Sequence, residues 1–372
     1  MSTTPSPKAG GRAMRVGING FGRIGRTVFR QILAREGMEV VAINDLGHNP
    51  ANLCYMLKYD SIHGALRERV ELREHAQSEK DWTVSEIFVG DDVVQVFSED
   101  KIESVPWNEI GCDIVIDATG NGRNLKNARL ALGRTVQRVI VTNSPDQLVD
   151  FTFVFDVNDT QYDPATHKVI AASICDAVGL APMIARLENR YGVTGGFVTT
   201  LHPWLGYQNL LDGKPSSLEF KERPDIYEAS TYLVMGRSSV GTMIPKSTSA
   251  VAAIEKVLPS IKGKLKGMSF RVPTDVVGGA TVTLQLAETP TTQELRDFLR
   301  ESAREPYFRY TEEPLISIDY KHCESSCIID GKWVESIEGG MMRFIAWYDN
   351  EWGYSARVVD VAAHVYEPRG DA

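Results

Sequence analysis

The chain has 372 residues, 43% of them hydrophobic, and a formal net charge of -9; that length can bury a sizeable core and corresponds to two ordinary domains. The acidic balance excludes a general electrostatic pull toward nucleic acid or an anionic membrane surface, so neither is expected as a partner. No run approaches the roughly 18 apolar residues of a membrane-spanning helix. Five scattered cysteines, Cys54, Cys112, Cys175, Cys323 and Cys327, make no disulfide framework and point to a reducing, cytoplasmic location.

The first thirteen residues, "MSTTPSPKAGGRA", are small, polar and proline-containing, and read as a disordered tail without a signal segment. From Met14 a short β-prone run passes through glycines into a helical pattern in which Ile24, Val28 and Ile32 share a face. A second β-prone run, Val40 to Asn44, ends in Asp45. Gly20, Gly22 and Gly25 form G-x-G-x-x-G between strand and helix, with an acid 20 residues beyond the last glycine. This pattern needs glycine for the tight turn, for close approach to a pyrophosphate and for helix packing, while the helix N-terminus holds the phosphates. Asp45 would accept hydrogen bonds from ribose hydroxyls and repel a 2′-phosphate, which favours NAD over NADP. The candidate cofactor residues here are Gly20, Gly22, Arg23, Ile24, Gly25, Asn44 and Asp45, joined by Thr119 at the end of the next β-prone run, "DIVIDATG". That run, a helical stretch and "RVIVTN" (138 to 143) continue a doubly wound α/β pattern.

Further along, "AASICDAVGLAP" places Cys175 at the head of an apolar period, Leu180, Met183, Ile184 and Leu187. A helix therefore begins at or just after the cysteine, where the positive dipole end lowers a thiol pKa. The following strand-like run, "GGFVTTLHPW", ends in His202, a general base if folding brings the two together. On spacing alone, a buried structural cysteine and a strand-end histidine account for the pattern as well. Near the C-terminus, His322, Cys323 and Cys327 lack the second ligand pair of a zinc site, and no metal is expected.

Together these stretches resemble the glyceraldehyde-3-phosphate dehydrogenase family. The matching strings are "GINGFGRIGR", "VAINDL", "LKYDSIHG", "LAP" after the cysteine, "TTLH", "IKGKLKGMSFRVPT" and "WYDNEWGYSARVVD", in the family's order from about Met14 to the last helix. The resemblance implies that Cys175 attacks an aldehyde, that His202 takes the proton as hydride leaves for NAD, and that phosphate releases the resulting thioester. It implies further that Asn350 fixes the nicotinamide carboxamide, that Tyr354 lies beside the ring, and that Arg237, Arg271 and Thr248 serve anion sites. A homotetramer is the family's usual assembly.

The chain departs from the family around the nucleophile. Ile174 replaces a serine before it, and Asp176-Ala177-Val178 replaces Thr-Thr-Asn after it, removing two phosphate-binding hydroxyls. Leu205 stands where another threonine is expected, Ser249 replaces a glycine, and the segment from His202 to Pro245 is enlarged and contains "KPSSLEFKERPDIYEASTY". A unit charge about 6 Å from a phosphate or thiolate costs on the order of 2 to 3 kcal/mol at an effective dielectric near 20, so Asp176 opposes both. Alternatively, Asp176 caps the first helical turn. The expected activity is NAD-dependent oxidation of a small anionic aldehyde, coupled weakly or not at all to phosphate. The alternatives are the ordinary phosphorylating enzyme and an idle NAD-binding scaffold. The expected fold is a Rossmann-type parallel sheet domain, 14–173 with 351–372, and an α+β catalytic domain, 174–350, with a mostly antiparallel sheet.

Overall fold

The computed structural model describes residues 12–47, 49–74, 85–145, 147–214 and 233–368. Most of the expected disordered tail, and all but the first residue of "KPSSLEFKERPDIYEASTY", lie outside the described residues. The chain forms two compact units. One comprises the described residues up to Phe153, Thr160–Ser173 and those from Ser355 on; the other comprises Val154–Asp159 and Ile174–Tyr354.

The first unit is built on a nine-stranded sheet. Seven strands run parallel in the order Phe151–Thr152, Val169–Ala171, Arg138–Val141, Ile114–Asp117, Met14–Asn19, Met38–Asn44 and Asp92–Phe97. Antiparallel Ser85–Val89 and Val70–Glu74 extend the edge. The central strands are apolar throughout because both faces are covered: Val16, Ile18, Ile114, Val115 and Ile116 have no exposed surface. The helix Arg23–Leu33 buries Val28, Phe29 and Ile32, the stripe expected from the 3.6-residue period. Strand order reverses between Met14–Asn19 and Ile114–Asp117, and the crevice beyond the carboxyl ends at such a switch point is where open α/β sheets bind ligands.

The second unit carries a seven-stranded sheet, ordered Ile244–Lys246, Leu265–Val272, Val193–Pro203, Gly278–Leu286, Met341–Tyr348, Ile328–Ile337 and Arg309–Thr311. Four of its neighbour pairs are antiparallel and two parallel. The helix Cys175–Tyr191 packs on Val193–Pro203 and Met341–Tyr348. Its Leu180, Met183, Ile184 and Leu187 are fully buried. Val198, Thr200 and His202 are buried on the strand Val193–Pro203, while Phe197 and Leu201 alternate outward, so among the described residues nothing covers this second face.

Candidate active site

In the first unit the glycine turn is shaped by close contacts. Gly20 has φ +91°, and a Cβ there would lie 2.7 Å from the Thr119 backbone nitrogen; one at Gly25 would lie 2.0 Å from the Gly20 carbonyl oxygen. Gly22 differs, because a Cβ there would meet nothing within 4 Å. It is the N-cap of Arg23–Leu33 and, being glycine, brings no capping side chain to the start of the helix. Open space at a glycine before a helix N-terminus fits a pyrophosphate. Asp45 follows its strand as expected, and its Oδ2 accepts the Phe21 amide.

Two other candidates in this unit are engaged within the fold. The Asn44 side chain donates to Asn19 Oδ1 (2.7 Å) and to the Glu99 carbonyl (3.0 Å), and accepts the Glu99 amide, tying strand ends together. Thr119 Oγ1 donates to Asp117 Oδ1 (2.8 Å) and accepts from the Asn121 amide.

In the second unit the helix Cys175–Tyr191 begins at the cysteine, with Ile174 as its N-cap. Cys175 Sγ lies 3.7 Å from His202 Nε2, at the far end of the strand Val193–Pro203. His202 Nδ1 lies 2.7 Å from the Pro203 carbonyl, an acceptor only, so Nδ1 carries the hydrogen and Nε2 presents its lone pair to the sulfur. Arg271 is the cross-strand partner of His202 on the parallel neighbour Leu265–Val272.

Asp176 does not cap the helix. Its Oδ1 accepts from Tyr348 Oη at 2.7 Å and lies 3.8 Å from Cys175 Sγ, with the residue 5% exposed. Two glycines let Tyr348 in. A Cβ on Gly179, one turn along the helix from Asp176, would lie 3.3 Å from the Tyr348 ring, and one on Gly278 would lie 2.9 Å from it. The carboxylate therefore faces the reacting sulfur rather than the helix amides.

This changes the electrostatics expected of a helix-start thiol. Burial and then the Asp176 charge push the Cys175 thiol well above its ordinary value, outweighing the Asp176 backbone N–H and the Arg271 charge, which both favour thiolate. Burial and the Arg271 charge lower His202, with Lys246 acting in the same sense and Asp176 opposing. The resting pair is a neutral thiol beside a neutral imidazole. Cys175, Asp176 and His202 also place donor atoms within 4.8 Å of one another, a set that could hold a cation; among the described residues His322, Cys323 and Cys327 form no such group.

Arg271 is buried, and its Nε has no hydrogen-bond partner among the described residues; Nη2 lies 3.5 Å from Tyr207 Oη. A buried guanidinium with an unmet donor fits an anionic substrate group. Arg237 is instead exposed, its Nε 3.1 Å from Asp212 Oδ2. Thr248 Oγ1 accepts the Ala250 amide at 3.1 Å, at the start of the helix Ala250–Val257. Asn350 is buried with Oδ1 lacking a partner among the described residues, an acceptor fitted to a carboxamide. Tyr354 is buried, which pushes its hydroxyl well above its ordinary value, and a thiolate at Cys175 would add to that. The sequence reading missed Lys246, whose charge reaches His202, and Tyr348, which orients Asp176. A lysine inside "MIPKSTS" gave a signal for the first; nothing local marked the second.

Comparison with known proteins agrees with this geometry. The family model of the glyceraldehyde 3-phosphate dehydrogenase NAD binding domain matches residues 14–125, and that of the C-terminal domain matches residues 174–350. Glyceraldehyde-3-phosphate dehydrogenase 1 of Bacillus cereus is 37% identical over 354 residues, covering 94% of this chain and 98% of the relative. The Geobacillus stearothermophilus enzyme is 37% identical over 95% of this chain and 98% of its own. The cytosolic enzyme of Chlamydomonas reinhardtii is 35% identical over 95% of this chain and 96% of its own. With the nine-stranded nucleotide-type sheet and the part-buried Cys175 beside His202, these matches make the chain a member of the glyceraldehyde-3-phosphate dehydrogenase family, an oxidoreductase whose cofactor is NAD.

Proposed function

We propose that the chain oxidises a small anionic aldehyde, glyceraldehyde 3-phosphate or a close relative, through a hemithioacetal and then a thioester on Cys175. The observation that carries this reading is the 3.7 Å approach of Cys175 Sγ to His202 Nε2, with the imidazole fixed in the accepting tautomer. His202 takes the thiol proton as sulfur attacks, which circumvents the unfavourable free thiolate, passes it to the aldehyde oxygen to complete the hemithioacetal hydroxyl, and takes it back from that hydroxyl as the hydrogen and electron pair leave. Bound NAD supplies the acceptor for the hydrogen and electron pair that leave the hemithioacetal carbon. In the nucleotide-type unit, Gly22 with the amides of Arg23 and Ile24, together with Asp45, are the groups that would hold it. Arg271 holds the substrate's anion beside His202, while Arg237, paired with Asp212, is a weaker candidate.

A second reading for the last step, which the family resemblance favours, is phosphate as acyl acceptor. Asp176 weighs against it here. Homo-oligomerisation, to the family's tetramer, is supported by the large apolar side chains that one sheet face exposes among the described residues. A cytoplasmic location is supported by the cytosolic relative and by free cysteines, and no helix among the described residues is long and apolar enough to cross a membrane.

The test is NADH formation from glyceraldehyde 3-phosphate and from neutral and anionic short aldehydes. Cys175→Ser should abolish turnover, and His202→Ala should lower kcat by on the order of 10² to 10⁴. Arg271→Ala should raise KM for anionic aldehydes roughly 10- to 100-fold while sparing neutral ones, the loss of one charge-assisted hydrogen bond. Unchanged turnover in Cys175→Ser would end the reading.

A further inference from the structure

We propose that water resolves the Cys175 thioester and that Asp176 is the general base for it, so that the product is a carboxylate. This rests on the Cys175 reading above. The inference starts from a misfit. Asp176 is buried, caps no helix amide, and among the described residues makes no ion pair; its hydrogen-bond contacts are Tyr348 Oη and the Cys175 sulfur. Burying a carboxylate without a cation is costly, and a fold that needed only an acceptor for Tyr348 could use a neutral side chain. The charge is kept where it touches the reacting atom.

Position decides between acceptors. Both contacts fall on Oδ1, and Tyr348, held between Gly179 and Gly278, fixes the carboxylate's orientation. Oδ2 engages in neither. An acyl carbon bonded to Sγ lies close enough to Asp176 that one water can both donate to the carboxylate at about 2.6 to 3.2 Å and stand about 3 to 3.5 Å from that carbon. Phosphate, an anion, would have to enter beside this carboxylate, with Ile174 and Ala177 offering no hydroxyl to receive it. Water carries no charge and is not repelled. The cations Arg271 and Lys246 act on the histidine. The charges are thus polarised, positive for the substrate's anion and negative for the water.

The step balances without a redox partner. A water proton passes to Asp176 as its oxygen bonds to the thioester carbon, and the tetrahedral adduct collapses by breaking the C–S bond. Sulfur leaves as thiolate and takes the proton that His202 acquired during oxidation. The carboxylic acid and Asp176 then release their protons to solvent, which restores thiol, imidazole and carboxylate.

The test uses the full-length protein with NAD and glyceraldehyde 3-phosphate, after EDTA treatment to keep adventitious cations off the Cys175, Asp176 and His202 donors. In ¹⁸O-labelled water without phosphate, wild type should turn over and place in a carboxylate product one label more than the aldehyde acquires by exchange through its hydrate, and added phosphate or arsenate should change the rate less than twofold. Asp176→Asn should keep the single-turnover burst of NADH, slow steady turnover by on the order of 10², and accumulate acyl-Cys175 in the intact-protein mass spectrum; Asp176→Glu should recover part of the rate. Phosphate-dependent turnover yielding an acyl phosphate would overturn the proposal while leaving the Cys175 reading standing. So would label incorporation that Asp176→Asn does not slow, since the base would then lie elsewhere. Absence of any NADH formation by wild type, in the first turnover as in the steady state, would remove the Cys175 reading and this inference with it. The wild-type label measurement holds even if the variants misfold.

Discussion

Asp117 closes the strand Ile114–Asp117 with 3% of its surface exposed, and burial raises it from 3.8 to about 6 despite hydrogen bonds from Thr119 and Asn19. The native state therefore holds this proton more tightly than the unfolded chain does. Stability falls as pH rises from about 3.8 through about 6, and the full cost of ionisation, on the order of 3 kcal/mol, is present at neutral pH. Asp117→Asn keeps the acceptor for Thr119 and Asn19 and removes the charge. It should stabilise the protein at about pH 7 by up to about 3 kcal/mol and flatten the slope between about pH 4 and 6. Urea denaturation across that range checks it; a variant less stable at neutral pH would mean the ionised carboxylate is a net favourable partner.

At the scale of one element, the cysteine helix shows what a sequence discloses and what it hides. Its start, its apolar stripe and the glycine turn of the nucleotide unit were legible because each follows from local geometry: a 3.6-residue period, a φ of +91° at Gly20, a Cβ collision at Gly25. The pairing of Cys175 with His202 needed the register of another element, so spacing left it open. The direction of Asp176 was not legible at all. Its partner Tyr348 is 172 residues away, and a first-turn acid reads as a cap until that ring is in place. Likewise Thr248 and Asn44 carry ligand-type groups that local hydrogen bonds already use, which composition cannot disclose. The helix's own sequence tests this arrangement at Gly179. An added Cβ would lie 3.1 Å from the Ser326 carbonyl and 3.3 Å from the Tyr348 ring. Alanine gains about 1 kcal/mol of helix propensity, against about 1 to 3 kcal/mol for overpacking a filled site. Gly179→Ala should therefore destabilise by about 1 kcal/mol in chemical denaturation. A gain of that size would show that Tyr348 is not held against the helix.

For the molecule as a whole, the seven-stranded sheet poses the remaining question, since each sheet face should meet a covering layer or water. On one face the helices Cys175–Tyr191 and Thr292–Glu301 cover the strands. The other face exposes Phe197 at 69%, Leu201 at 40%, Met268 at 39% and Met341 at 44%. Register puts these together: Phe197, Thr199 and Leu201 alternate along one strand, Met268 pairs with Thr199, and Met341 pairs with Gln285, two residues from the Thr283 that pairs with Phe197. These side chains share the face with Lys266, Thr281, Thr283 and Arg343, and exposed large apolar groups rimmed by polar ones mark a docking surface. A self-complementary interface between copies is the economical occupant because a two-fold axis through the face covers both copies at once. The chain's net charge of -9 opposes close approach of identical copies, so the apolar face has to supply the attraction. Placing one carboxylate in such an interface costs a few kcal/mol per copy if it stays unpaired. Phe197→Asp combined with Leu201→Asp should accordingly raise the dissociation constant by at least about 10³ and shift the protein to smaller species in sedimentation velocity, with the circular dichroism spectrum unchanged. A wild type that sediments as a monomer, or a variant that sediments like wild type, would assign the assembly to another surface.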